Sequence, residues 1–304
     1  MTVLPTTSSE QIKLQVRDRY GRLAEDVLER PEPVGCGCAP AESLSDGDVI
    51  FLQDGASSCC GPEQQVLDAD HASRLYEQGE LATLPDSVTA ASLGCGNPMA
   101  IAALKPGQVV MDLGSGGGID CFLAGRQVGP EGRVIGLDMT PQMIELAEQN
   151  RAKLGAAAAN VSFQLGEMEA MPLPDSSVDV MISNCVINLS PDKDAVFREA
   201  FRVLRPGGYL AVSDIVTLQP LPEQLATSLS AWSECVAGAL DVGDYTRKLE
   251  EAGFERVAVA ELSSKDFQGG EAPALVTGDL DRWVASARIL AYRPLDNGQL
   301  SIGE

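Results

Sequence analysis

Cysteine has the most distinctive chemistry in this 304-residue chain, since eight cysteines occur beside a single histidine, His71. Proteins use histidine more than any other side chain for proton transfer near neutral pH, so histidine acid–base chemistry would depend on that one residue. No two cysteines are spaced C-x-x-C, so zinc-finger spacing is absent. In a reducing cytoplasm such cysteines are core residues, catalytic groups or soft-metal ligands rather than a disulfide framework.

A glycine-rich loop is the second chemical feature. The segment Gly114–Gly118 (GSGGG) follows a predicted strand and opens a predicted helix, which is where a doubly wound sheet binds a nucleotide. Ile119 stands where a dinucleotide fingerprint requires its third glycine, and Asp112 precedes the loop by two residues. A carboxylate there repels a pyrophosphate and attracts an ammonium group. Asp138 ends the next strand, where an acid accepts hydrogen bonds from ribose hydroxyls. The pattern favours an adenosine joined to an amino acid over a plain tight turn.

Residues 105–215 resemble the class I S-adenosylmethionine-dependent methyltransferases. The resemblance rests on D-L-G-x-G-x-G, on the acid after the second strand, and on PLPDSSVDVMISN, which leads into the fourth strand. The resemblance implies S-adenosylmethionine as the cofactor. It places Glu167 and Met168 beside the adenine and Asn184 opposite the reactive sulfonium. The cofactor-binding residues implied in this way are Asp112, Gly114, Ser115, Gly116, Asp138, Met139, Glu167, Met168 and Asn184.

Three cysteines are expected to meet where this fold places its methyl acceptor. Cys185 follows the fourth strand, Cys235 lies in the segment that usually closes over the acceptor, and Cys95 lies between two glycines just before the domain, in a turn expected to be exposed. For a lone cysteine, burial as a small apolar residue is the ordinary interpretation. Three thiolates without histidine instead suit a soft, three-coordinate centre such as trivalent arsenic, because magnesium and calcium prefer oxygen ligands.

The segments SLGCGNP, DLGSGGGIDC, SNCVINLSPDK and ECVAGAL resemble arsenite S-adenosylmethionine methyltransferases over about residues 57–255. The resemblance implies that Cys95, Cys185 and Cys235 bind As(III). It also implies disulfide exchange by an upstream cysteine, for which Cys59 or Cys60 in SSCCG is the matching position. Arsenite and methylarsenite would be substrates, and thioredoxin or glutathione would be the thiol reductant.

The chain departs from this pattern in two places. Many eukaryotic members have a pair of tyrosines before the Cys95 turn, whereas Ser92 and Leu93 stand here, so any cofactor contact from those rings is lost or replaced. Cys36 and Cys38 have no counterpart and are either an accessory thiol pair or free loop cysteines.

Two other functions remain compatible with the sequence. The 105–215 core alone fits a methyltransferase acting on a small organic acceptor such as a quinone, from which cysteine dependence would distinguish arsenite methylation. A metalloid-binding module without turnover would keep the thiols but has no need of Asp112, Gly114, Gly116 and Asp138.

Composition limits the partners. A formal net charge of −22 repels phosphate backbones and anionic lipid heads, so nucleic-acid and membrane partners are not expected. No segment has the roughly 18 to 20 apolar residues of a membrane span, and the first residues lack a signal-peptide pattern, which predicts a cytoplasmic protein.

The elements that must position these residues follow from hydrophobic periodicity. Ser8 and Gln11 predict a capping box that starts an amphipathic helix over 8–29. Apolar strands alternating with helices predict an α/β fold with a Rossmann-like doubly wound, mostly parallel sheet. Predicted strands are 108–113, 133–138, 161–165, 178–183, 208–214, about 256–262 and 282–294. Predicted helices are about 63–79, 86–92, 119–128, 141–154, 191–204, about 222–238 and 243–253.

Three regions are expected along the chain. Residues 1–92 form an N-terminal helix and a cysteine-rich flap, residues 93–215 the S-adenosylmethionine-binding domain, and residues 216–304 an arsenic-side, C-terminal α+β region.

Overall fold

A computed structural model describes residues 8–29, 71–262 and 282–296 of the chain. Their centre is an eight-stranded sheet of order β3-β2-β1-β4-β5-β8-β7, with β6 paired to β5. The strands are β1 (Val109–Leu113), β2 (Arg133–Asp138), β3 (Val161–Leu165), β4 (Val178–Asn184), β5 (Leu204–Thr217), β6 (Leu240–Asp241), β7 (Glu255–Glu261) and β8 (Val284–Tyr292).

The sheet confirms the Rossmann-like doubly wound fold class. Strands β1 to β5 pair in parallel, whereas β8 runs antiparallel to both β5 and β7. Because β1 lies between β2 and β4, the strand order reverses beside it, which is where open α/β sheets bind ligands at their carboxyl ends. Strands β7 and β8, from the region 216–304, continue the same sheet.

Helices cover both faces of the sheet. Alternating residues of β1 pack into different cores, Val110 with α6 and Met111 with α8 and α11, which is why the strands are apolar throughout. The helices are α1 (Ser9–Leu28), α2 (His71–Leu75), α3 (Gln78–Leu81), α4 (Asp86–Ala90), α5 (Met99–Ala102), α6 (Ile119–Val128), α7 (Pro141–Leu154), α8 (Lys193–Val203), α9 (Glu223–Ala226), α10 (Leu229–Ser233) and α11 (Val242–Glu251).

Helix α1 begins as its sequence predicts. Ser8 Oγ accepts from the Gln11 amide at 3.2 Å, and the Ser8 amide donates to Gln11 Oε1 at 2.9 Å, which together form the capping box. The buried face of α1, which includes Ile12 and Val16, packs against α7 and α10. An N-terminal helix is thereby placed across the carboxyl edge of the sheet.

Three predicted helices differ from the structure. The helix predicted over about 63–79 is described from residue 71 and is divided there into α2 and α3. The helix predicted over 222–238 is divided into α9 and α10, because Ser228 caps a new helix by accepting from the Ala231 amide, and Cys235 beyond it has a left-handed backbone. The helix predicted from Pro191 begins at Lys193, because Asp192 is its capping residue and accepts from the Ala195 amide at 2.9 Å. Within the described residues, no helix is both long and apolar enough to cross a membrane.

Candidate active site

A cleft of about 1000 Å³, including its part open to solvent, lies at the carboxyl ends of β1, β2 and β4. Of the nine residues predicted to bind the cofactor, eight line it: Asp112, Gly114, Ser115, Gly116, Asp138, Met139, Met168 and Asn184. The glycine loop needs its residue type, because a Cβ on Gly114 would lie 2.2 Å from the Val186 side chain and its φ is +67°. A side chain at this position would therefore collide with the segment that follows β4.

Asp138 fastens the loop to the second strand. Its carboxylate accepts from the Gly116 amide at 3.0 Å and from the Thr140 amide at 2.8 Å, while still lining the cleft. Burial raises the pKa of Asp138, and these backbone donors oppose the rise. The arrangement holds an oxygen acceptor at the end of β2, where ribose hydroxyls bind in this fold.

Two further buried carboxylates line the cleft. Asp120 accepts from the Tyr76 hydroxyl at 2.9 Å and from Asn184 Nδ2 at 3.3 Å, and Asp112 accepts from the Cys121 thiol at 3.3 Å. Burial raises the pKa of Asp120 to about 6, and burial with the neighbouring Asp120 charge raises that of Asp112 well above its usual range. Such a pair favours a cationic ligand, because a bound cation offsets the repulsion between the carboxylates.

Glu167 is the ninth predicted cofactor residue, and the structure places it elsewhere. Its carboxylate forms ion pairs with Lys13 and Arg17 of α1, and the carboxylate that lines the cleft in this segment belongs to Glu169. Lys13 also pairs with Glu169 at 3.1 Å. Glu167 thus fastens α1 over the cleft.

Helix α1 supplies cleft residues that sequence reasoning missed, namely Lys13, Val16 and Tyr20. Tyr20 is the one aromatic side chain among the described residues that line the cleft, and its hydroxyl lies 3.5 Å from the carbonyl oxygen of Ser233. The signal available in the sequence was the amphipathic face of α1, which needed a partner surface, together with the absence of aromatic residues at Ser92 and Leu93.

Cys95, Cys185 and Cys235 come together beside this cleft. The sulfurs of Cys95 and Cys185 lie within 4.8 Å of each other, and the Cys235 thiol donates to the Cys185 carbonyl at 2.6 Å. All three are free and buried, and they share one apolar cluster with α1 and α10. Of the three, Cys185 is the one that lines the cleft, so the thiol cluster borders the cleft. The expectation that Cys95 is exposed is wrong, since its side chain is fully buried.

The turn around Cys95 is fixed by close packing. A Cβ on Gly94 would lie 2.3 Å from the Asn184 side chain, and one on Gly96 would lie 2.8 Å from Ser213. Asn184 Oδ1 accepts from the Cys95 amide at 3.1 Å, and Asn184 Nδ2 donates to the Gly96 carbonyl at 2.8 Å. The glycines therefore permit close approach to β4 and β5, rather than exposure to solvent.

The surroundings of the three thiols favour their neutral form. Burial raises the pKa values of Cys95 and Cys185, and the hydrogen bond with Cys185, followed by burial, raises that of Cys235. Burial lowers the pKa of the nearby Lys193 to about 8. Its ammonium group donates to the carbonyls of Asn188 and Ser190, and these hydrogen bonds hold the segment after Cys185 in place. A ligand that exchanges neutral groups with neutral thiols suits this pocket, because no net charge has to be buried.

Asp214 is a further buried group that sequence reasoning missed. Its carboxylate oxygen and the sulfurs of Cys95 and Cys185 lie within 4.8 Å of one another. Burial raises the pKa of Asp214 to about 7, opposed by the Ile215 amide and the Lys193 charge. The residue lies within β5, directly before the buried Ile215 and Val216, and a carboxylate inside an otherwise apolar stretch was the available signal.

The remaining cysteines lie apart from this site. Cys121 belongs to α6, and its side chain packs behind the glycine loop in the apolar core. Cys59, Cys60, Cys36 and Cys38 lie outside the described residues, so their predicted roles stay predictions.

Known methyltransferases are similar to this chain in sequence. A methyltransferase-domain family model matches residues 104–253. An arsenite methyltransferase of Halobacterium salinarum is 40% identical over 295 residues, which are 96% of this chain and 69% of that protein. An arsenite methyltransferase of Aquipseudomonas alcaligenes is 41% identical over 181 residues, and these are 57% of this chain and 51% of that protein.

A solved structure is similar as well. The crystal structure of an arsenic(III) S-adenosylmethionine methyltransferase from Chlamydomonas reinhardtii is 37% identical and has a TM-score of 0.59, with 73% of this chain and 74% of that chain covered.

Proposed function

The chain belongs to the family of arsenite methyltransferases, as its motifs predicted, and we propose that it transfers methyl groups from S-adenosylmethionine to trivalent arsenic held by Cys95, Cys185 and Cys235. The observation that carries the proposal is the cluster of three buried thiols beside the cleft, in which Cys185 both lines the cleft and contacts the other two cysteines. Methylation of a small organic acceptor does not require a cluster of three thiols. Metalloid binding without turnover does not require the cleft.

The binding step avoids burying charge. Arsenite is a neutral acid near pH 7, and each of its hydroxyls leaves as water with the proton of one thiol while an arsenic–sulfur bond forms. The raised thiol pKa values are compatible with this exchange, because three neutral thiols become a neutral trithiolate complex. The overall charge of −22 has little effect on such a substrate.

The residues of the cleft fit S-adenosylmethionine. Asp112 and Asp120 suit its ammonium group, Asp138 suits its ribose, and Gly114 and Gly116 leave room for close approach. When bound, the cofactor supplies an electrophilic methyl group. The protein's contribution is to hold the arsenic lone pair beside that methyl group, and catalysis by proximity and orientation needs no general base. That accounts for a site built without histidine.

Turnover requires two electrons, because methylation formally oxidises arsenic from As(III) to As(V). In this proposal two thiols supply them and become a disulfide, with Cys59 or Cys60 as one partner, and thioredoxin or glutathione then reduces that disulfide. Such a cycle requires the reducing conditions of a cytoplasm. The division into residues 1–92, 93–215 and 216–304 remains part of the proposal: the first carries Cys59 and Cys60, the second binds the cofactor and supplies Cys95 and Cys185, and the third supplies Cys235 on the arsenic side.

The test is methyl transfer from methyl-labelled S-adenosylmethionine to arsenite in the presence of a thiol reductant. We expect labelled methylarsenicals from the wild-type protein and none from Cys185→Ser or Cys235→Ser. Cys121→Ser is the matched control, because that thiol is equally buried but lies behind the loop, and it should retain arsenic methylation. A wild-type protein that binds the cofactor but methylates only organic acceptors would reject the proposal, and arsenite binding without turnover would favour the binding module.

A further inference from the structure

Asp214 is the one carboxylate among the described residues that forms a possible ligand group with two of the arsenic-site thiols. Its oxygen, Cys95 Sγ and Cys185 Sγ are close enough that one atom bonded to both sulfurs at roughly 2.3 Å, as in soft metal–thiolate sites, would lie beside the carboxylate. The side chain is fully buried, so water does not screen it.

The carboxylate is held in place by three donors. Asn188 Nδ2 and the Ile215 amide each donate to Asp214 Oδ1 at 2.9 Å, and the Tyr245 hydroxyl lies 3.4 Å from Oδ2. Asn188 and Tyr245 are themselves fully buried. The protein therefore orients this carboxylate before any substrate arrives, which is the condition for electrostatic catalysis.

We infer that Asp214 is a catalytic residue whose carboxylate stabilises the positive charge that arsenic acquires during methyl transfer, an inference that rests on the proposed function. The arsenic lone pair forms the As–CH3 bond, and the S–CH3 bond of the sulfonium breaks with its electron pair going to sulfur. The sulfonium becomes a neutral thioether, and the arsenic trithiolate becomes a methylated cation. No proton moves in this step.

The location of Asp214 matches this role. Cys185 lines the cofactor cleft but Asp214 does not, so the methyl group arrives from the cleft while the carboxylate lies on the interior side of the thiols. A carboxylate interacts little with the neutral As(III) complex and strongly with the cation. It therefore favours the transition state over the ground state.

The test compares Asp214→Asn with wild type in three measurements: As(III) affinity, affinity for S-adenosylhomocysteine, and the single-turnover rate of methyl transfer. Removing one preorganised electrostatic group costs on the order of 10²-fold in rate, so we expect that loss with both affinities within about threefold of wild type. Asp244→Asn removes the same charge from the half-exposed start of α11 and should leave all three measurements unchanged.

The outcomes separate the two proposals. An Asp214→Asn rate close to wild type, or a loss of As(III) affinity equal to the loss of rate, overturns the role inferred for Asp214. If wild type forms no methylated arsenic, the proposed function itself fails. Should Asp214→Asn not fold, Tyr245→Phe removes one donor to the carboxylate and keeps the ring, and we expect a several-fold slower methyl transfer at unchanged As(III) affinity. An unchanged rate in that variant also counts against the inference.

Discussion

Cys185 and Cys235 share an uncommon backbone conformation, with φ of +62° and +64°, and the thiol of the second donates to the carbonyl of the first. Residues other than glycine rarely occupy this region, and each such residue costs of order 1–3 kcal/mol of strain when the surrounding structure enforces it. Both thiols are therefore held toward their neighbours at some expense of stability.

Glycine in place of either cysteine should remove that strain. We predict that Cys235→Gly is more stable than Cys235→Ala by about 1 kcal/mol, although both lose As(III) binding, because only the alanine retains a Cβ in the left-handed region. Urea denaturation of the pair measures the difference. Cys121, which lies inside α6, provides the opposite control, since Cys121→Gly should be less stable than Cys121→Ala. The same order at both positions would show that the strain at Cys235 is negligible.

Asn184 links the cofactor cleft to the Cys95 turn. Asn184→Ala leaves the Cys95 amide and the Gly96 carbonyl without this partner, at a cost of about 1–3 kcal/mol, so we predict roughly tenfold weaker binding of both As(III) and S-adenosylhomocysteine. Isothermal titration measures both affinities. Asn160→Ala is a matched control, because its amide donates to the carbonyls of Gly125 and Gly129 at the far end of the sheet. Equal losses of affinity in the two variants would indicate general destabilisation instead.

Asp120 should make stability depend on pH. Its pKa is raised to about 6 by burial, above its ordinary value of 3.8, so the folded protein binds this proton more tightly than the unfolded chain does. Its contribution to stability is complete below about pH 3.8 and is lost as pH rises through 6. We predict that Asp120→Asn is about 1–3 kcal/mol more stable than wild type at pH 8, with the gain vanishing toward pH 4.

The same substitution should weaken cofactor binding, since a cationic ligand loses one of its two carboxylates. Chemical denaturation across pH and a binding titration at pH 8 test both effects. A gain in stability that does not vary with pH would contradict the assignment to this proton.

Tyr20 supplies the aromatic part of the cleft wall. Tyr20→Ala should weaken cofactor binding roughly tenfold through lost apolar contact, whereas Tyr20→Phe should remain near wild type because the hydroxyl is 3.5 Å from its partner. Leu14→Ala is the control, because the Leu14 side chain on α1 is 56% exposed and does not line the cleft. A Phe variant as weak as the Ala variant would assign the effect to the hydroxyl rather than to the ring.

Glu167 should matter little to cofactor binding. Its carboxylate is 37% exposed and pairs with Lys13 and Arg17, and exposed ion pairs contribute about 0–1 kcal/mol. We predict that Glu167→Gln changes the KM for S-adenosylmethionine by less than about threefold, with a smaller effect at high salt. A KM raised tenfold or more, independent of salt, would support the adenine contact that the family resemblance implies.

Local signals made much of the fold predictable. The ranges 119–128 and 141–154 agree with α6 and α7, because apolar periodicity, Gly118 and Pro141 all act within a few residues. The segment 222–238 was predicted as one helix because its periodicity continues through Ser228. The cap at Ser228 is local, whereas the left-handed backbone of Cys235 arises where this segment packs against α1 and the turn after β4.

The candidate site was predictable where residue type alone constrains chemistry. Three thiols and the acids at Asp112 and Asp138 are of that kind. Tyr20 and Asp214 were missed because each reaches the site through a contact between segments distant in the chain. A carboxylate inside a strand is a local signal, but it does not identify the residues that will surround it.

Because the three thiols lie far apart along the chain, bound arsenite should also stabilise the folded protein. Cys185 and Cys235 are 50 residues apart, and Cys95 belongs to a turn before the first strand. Arsenic bonded to all three sulfurs is a reversible cross-link that closes long loops of the chain. Such a cross-link restricts the unfolded ensemble as a disulfide does. The enzyme should therefore melt at a higher temperature when loaded with arsenite. Each methyl group that replaces a sulfur ligand removes one link to the chain and should lower the melting temperature again.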